Sequence, residues 1–117
     1  MQTGQMKEAD LKVLERVAIP AIGACAGQFT ANTMAMVSEV LGLTVPNSAM
    51  VPGVYAERSA IAQRAGEIVI NILKRGGPLP RDLVTRKSIE NGCAIVAATG
   101  GSTNAALHLP AIANEAG

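Results

Sequence analysis

The stretch Gly23-Ala24-Cys25-Ala26-Gly27-Gln28-Phe29-Thr30-Ala31-Asn32-Thr33-Met34-Ala35-Met36-Val37-Ser38-Glu39-Val40-Leu41 sets a cysteine in a loop of small residues and then starts a helix. Glycine and alanine let a backbone come close to a bulky group, because nothing larger than a methyl intervenes. A thiolate in such a loop could ligate a metal cluster, but a cluster needs three or four ligands and one cysteine cannot hold it alone. From Thr30 the apolar residues Met34, Val37, Val40 and Leu41 recur at helical spacing. Thr30 or Asn32 is expected to cap this helix, and Gly42 is a suitable residue just past its end.

Toward the N-terminus, Lys7 to Val17 reads as a short amphipathic helix with Leu11, Leu14, Val17 and Ala18 on one face. Pro20 closes it. Toward the C-terminus, Leu43 to Val54 reads as a loop with room for a short extended piece at 43–45. Glu57 to Arg75 carries a broad apolar stripe through Ile61, Ala65, Ile68 and Ile72, with Ala62, Val69 and Leu73 beside it. Lys74 and Arg75 suit its C-terminal end, and Gly76-Gly77-Pro78 stops it. Leu79 to Val84 reads as a linker. Thr85 to Ala98 forms a further helix with Ile89, Cys93, Val96 and Ala97 inward. Gly100 to Asn104 is a glycine turn, and Asn104 to Glu115 a last helix open to interruption at Pro110. The expected fold is therefore mainly α-helical, about five helices with little strand.

The 117 residues bound the chain to a single domain at most, here a partial one over residues 1–117. With 49% apolar residues, 16% charged residues and a net charge of +1, it gives no electrostatic reason to expect nucleic acid or an anionic membrane as partner. The only aromatic residues are Phe29 and Tyr55. Glycine and alanine take their place and bury little area per side chain, so the chain is poorly equipped to stand alone. No apolar run reaches the roughly eighteen residues of a membrane span. The N-terminus lacks the basic and apolar regions of a secretory signal. Cys25 and Cys93, far apart and without a CxxC pair, point to reduced thiols and a cytoplasmic location.

The landmarks together resemble the dihydroxy-acid dehydratases and the grouped 6-phosphogluconate and sugar-acid dehydratases. The resemblance rests on Gly23-Ala24-Cys25, Phe29 to Met34, Glu39 to Leu43, Thr85-Arg86-Lys87 and Glu90-Asn91. It continues through Gly100 to Ala105, Leu107-His108-Leu109 and Ala111 to Gly117. Several motifs in the right order, from about Gly4 onward, are specific in a way that a lone glycine pattern is not. The Ala31-Asn32-Thr33-Met34 form and Val51 to Tyr55 look more like the dihydroxy-acid branch. The chain departs from the family at Ile19-Pro20-Ala21-Ile22, where Cys-Pro-Gly-Ala is usual, and at Ala26-Gly27, where Gly-Gly is usual.

The resemblance implies an interior fragment of the N-terminal, parallel-sheet α/β domain of an iron–sulfur hydro-lyase, inactive by itself. Such an enzyme turns a 2,3-dihydroxy acid into a 2-keto acid in valine, isoleucine and leucine synthesis. It implies a 2Fe-2S or 4Fe-4S cluster with Cys25 as one ligand, a magnesium ion held elsewhere, and a homodimer when full length. No catalytic residue falls in this segment. Thr30, Asn32, Thr33, Ser102 and Asn104 are expected near the cluster or substrate, although the bland reading of the first three is ordinary capping and of the glycine turn a tight connection. His108 reads as a core or hydrogen-bonding residue rather than a ligand. Two other readings stand beside this: a sugar-acid dehydratase fragment, and a non-catalytic helical interaction module.

Overall fold

The computed structural model describes residues 4, 6–19 and 27–117. Among them are six helices and no strand: α1 Glu8–Val17, α2 Thr30–Val40, α3 Glu57–Arg75, α4 Pro80–Leu83, α5 Arg86–Thr99 and α6 Asn104–Ala116. The 43–45 segment is loop rather than strand.

The core is small and sits where α2, α5 and α6 meet. Val37, Leu41, Ala105 and Leu109 are buried there, with Met34, Ile89, Ile95, Val96 and Ile112 packed against them. The 3.6-residue period explains why α2 and its C-cap contribute Val37 and Leu41, four apart on one face, while Val40 stays exposed. On α5 the inward row is Ile89, Gly92 and Val96, spaced by three and four. Gly92 lets α6 come close: a Cβ there would stand 3.2 Å from Leu109 Cδ2. This corrects the expectation for Cys93 and Ala97. Both are exposed, because α5 packs through its glycine and the following residue points about 100° away.

Helices α2, α3 and α5 end alike. Gly42, Gly76 and Gly100 adopt left-handed φ of 78°, 75° and 63°. The next N–H reaches back to close the last turn, Leu43 to the Ser38 carbonyl at 2.8 Å and Gly101 to the Val96 carbonyl at 2.9 Å. Glycine holds this conformation without a Cβ penalty.

Two expectations change at prolines. The 79–84 linker contains α4, begun by Pro80 in the first helical position and by Asp82, whose carboxylate accepts the Leu79 N–H at 2.7 Å. Helix α6 runs unbroken through Pro110. Pro110 and Ala106 are exposed, so the carbonyl deprived of its donor lies on the solvent side.

Helices α1 and α3 bury no residue. The α3 stripe is only half-covered, and Leu73 is 71% exposed. The Cα radius of gyration is 18.6 Å, against roughly 13 Å for a compact chain of this length. The apolar residues of α1 and α3 lie outside the small core.

Candidate functional site

Cys25, the sequence-derived ligand, lies outside the described residues. The other five candidates lie within them, and four converge where the first turns of α2 and α6 meet.

Thr33 is fully buried, and its Oγ1 accepts the Ser102 N–H at 2.9 Å. The contact joins residues 69 positions apart. Gly101 makes it possible: a Cβ there would stand 3.1 Å from Thr33 Cγ2 and from Val96 Cγ1. Asn104 completes the knot. Its Nδ2 donates to Thr30 Oγ1 at 2.8 Å and to Ser102 Oγ at 2.9 Å, and its backbone N–H donates to Ser102 Oγ at 3.2 Å. An amide nitrogen carries two hydrogens, so both side-chain bonds are made at once.

The capping expectation for α2 is corrected here. The N-cap is Phe29, with no side-chain bond to the helix. Thr30 is the first helical residue, and its hydroxyl serves Asn104. Asn32 faces the other way and donates to the Gly27 carbonyl at 2.7 Å, tying the segment just before α2 to the helix. The spacing of two hydroxyl residues and an amide around a helix start did not distinguish caps from a tertiary knot. Gly101 was the available signal, a second glycine where one suffices to end α5.

The remaining candidates separate from this knot. His108 is half-buried on α6, and no three His, Cys, Asp or Glu among the described residues gather to hold a metal. Arg86 pairs with Glu90 one turn along, at 3.0 Å, with both side chains largely exposed. An apolar groove of about 440 Å³ lies along the far half of α6, lined by Leu43, Pro80, Val84, Ala111 and Ile112. Eight residues of helix, about 12 Å, separate Ile112 from Asn104, so groove and knot are distinct features. No helix among the described residues is long and apolar enough to cross a membrane.

Comparison with known proteins decides the family. Residues 1–117 match the family described as dihydroxy-acid/6-phosphogluconate dehydratase N-terminal. The chain belongs to that family. It is 72% identical over 115 residues, 98% of its length, to dihydroxy-acid dehydratase 3 of Bradyrhizobium diazoefficiens. It is 68% identical over its whole length to dihydroxy-acid dehydratase 2 of Bordetella bronchiseptica, and 58% identical over 99% of its length to dihydroxy-acid dehydratase of Dinoroseobacter shibae. In each case it covers 20% of the relative, so the chain spans about a fifth of the length of the curated relatives it matches. The described helices are a piece of the dehydratase N-terminal domain.

Proposed function

We propose that this chain is one corner of a dihydroxy-acid dehydratase that removes water from a 2,3-dihydroxy acid to leave a 2-keto acid in branched-chain amino-acid synthesis. The observation that carries the reading is the family match along all 117 residues, with relatives of that name at 72% and 68% identity. The cytoplasmic location, the magnesium ion and the homodimer of the complete enzyme belong to the same proposal.

Cys25 is proposed as one thiolate ligand of an iron–sulfur cluster. The donor chemistry fits a partial contribution only. Among the described residues no three His, Cys, Asp or Glu gather to hold a metal; the remaining ligands are proposed to lie in other parts of the enzyme, as the family resemblance implies. When bound, the cluster supplies a Lewis acid for the departing hydroxyl. This chain contributes support: the knot of Thr30, Thr33, Ser102 and Asn104 joins α2 to α6, and Asn32 holds the Gly27 carbonyl. We place these residues beside the cluster or the substrate.

The test is an assay of the full-length enzyme carrying this segment with a 2,3-dihydroxy acid of the valine series and with a sugar acid. Preference for the former by kcat/KM supports the reading. Preference for the sugar acid assigns the chain to the sugar-acid branch, and no dehydration of either overturns the enzyme assignment.

A further inference from the structure

We propose that the apolar groove along α6 is the docking site for the stretch of chain that follows Gly117 in the full-length dehydratase, an inference that rests on the reading of this chain as an interior piece of that enzyme. Gly42 and Gly76 end their helices with a left-handed φ and a pair of returning bonds. The glycine N–H donates to the carbonyl three residues back, Glu39 at 3.0 Å and Leu73 at 3.3 Å. The next N–H donates five residues back, Leu43 to Ser38 at 2.8 Å and Gly77 to Ile72 at 3.1 Å. Gly117 repeats the first half: its φ is 88°, and its N–H donates to the Asn114 carbonyl at 3.2 Å. Completing the pattern gives the following residue's N–H to the Ala113 carbonyl and turns the chain back across the last turn of α6. An apolar contact between that residue and Ala113 or Ile112 accompanies such a turn.

Ala113 and Ile112 lie on the groove. Leu43, Val84, Ala111, Ile112 and Ala116 line its larger part, about 440 Å³. Ile89 and Ala113 line a neighbouring hollow of about 290 Å³, which shares Val84 and Ala116 with it. The charged residues at the larger part, Arg81 and Glu115, are both exposed, so an apolar occupant leaves them in water. Contiguous exposed apolar surface of this kind marks interaction sites. The size of the groove selects the occupant. An interface between subunits takes about 20–30 residues a side, far more than line this groove. From Ala111 to Ala116 the helix axis advances about 7.5 Å, which about two or three extended residues cover. The chain spans about a fifth of the length of its relatives. Of the remainder, the residues directly after Gly117 are tethered beside Ala116, and a very short link favours their docking over that of any distant segment.

The experiment uses the full-length enzyme carrying this segment. The photo-cross-linking residue benzoylphenylalanine is placed at Arg81, and separately at Leu43, and the cross-links formed on irradiation are mapped by mass spectrometry. Both positions line the groove from elements other than α6 and are exposed, so each serves if the other fails to fold. Cross-links to residues within about eight positions after Gly117 are expected. Cross-links confined to a distant segment or to a second subunit, or none at all, overturn the proposal. Hydrogen exchange on the unaltered enzyme needs no substitution: the amide directly after Gly117 is expected to exchange about fivefold slower than an open amide, and exchange at the open rate overturns the proposal. Dehydration of the 2,3-dihydroxy acid is measured on the same preparations. Its absence in the unaltered enzyme counts against the functional reading, whereas misplaced cross-links in active enzyme count against the docking alone.

Discussion

Thr33 Oγ1 accepts the backbone N–H of Ser102 at 2.9 Å, and Thr33 has no exposed surface. One hydroxyl thus joins α2 to the glycine turn that begins α6. Replacing Thr33 by Val keeps the shape and leaves the Ser102 N–H without its acceptor. The expected cost is about 1–3 kcal/mol, read as a lower urea midpoint. Thr33→Ser keeps the hydroxyl and loses one methyl, with an expected cost of about 1 kcal/mol. Equal stability of Thr33→Val and the unaltered protein would show that the bond carries nothing.

The two close-approach glycines are expected to behave differently. A Cβ at Gly101 meets Thr33 and Val96 together at 3.1 Å, so Gly101→Ala forces apart the α2–α5 contact and costs about 1–3 kcal/mol. A Cβ at Gly92 meets the end of Leu109 at 3.2 Å, and a leucine tip can move. Alanine is also a better helix former than glycine by about 1 kcal/mol, so the two effects offset and Gly92→Ala changes stability by less than about 1 kcal/mol. Parallel urea melts of the two variants check the ordering.

Glu39 closes the loop after α2. One carboxylate oxygen accepts the Ala49 N–H at 3.0 Å, and the other accepts the N–H of Asn47, whose φ is 66°. Glutamine has one acceptor oxygen where glutamate has two. Glu39→Gln is expected to cost about 1–3 kcal/mol of loop stability, seen as faster amide exchange at Asn47 and Ala49 with the α5 amides unchanged.

The helices themselves were legible because their apolar residues repeat at three and four and their ends carry glycine. The Glu57–Arg75 bounds came directly from the Gly76-Gly77-Pro78 stop and the long stripe. What the sequence did not disclose was which side of a short alanine-rich helix faces inward. On α5 a glycine, not Cys93, makes the contact, and apolar periodicity gives no weight to a residue without a side chain. The first four-residue turn at Pro80 was hidden because its signals, Pro80 and Asp82, are also those of a linker. Thr30, Thr33, Ser102 and Asn104 were singled out as neighbours of a cluster or substrate; the structure shows them bonded to one another, and those bonds depend on a chain crossing of about seventy residues, which local spacing does not reveal.

Helix α3 has no buried residue, whereas α2, α5 and α6 share the core. Most helical stability comes from packing an apolar face. In the 117-residue chain by itself, the amides of α3 are therefore expected to exchange much faster than those at Val37, Val96 and Leu109. Equal protection across all four helices would show that α3 needs no partner.

The central claim is that this chain supplies a single ligand, Cys25, to a cluster completed by the rest of a dehydratase. The direct measurement is iron and sulfide content, on the 117-residue chain and on the full-length enzyme with and without Cys25→Ser. The account predicts no stoichiometric uptake by the short chain, a full cluster in the full-length enzyme, and loss of that cluster in Cys25→Ser. A stoichiometric cluster in the short chain, or one that survives Cys25→Ser with its iron content unchanged, would contradict it.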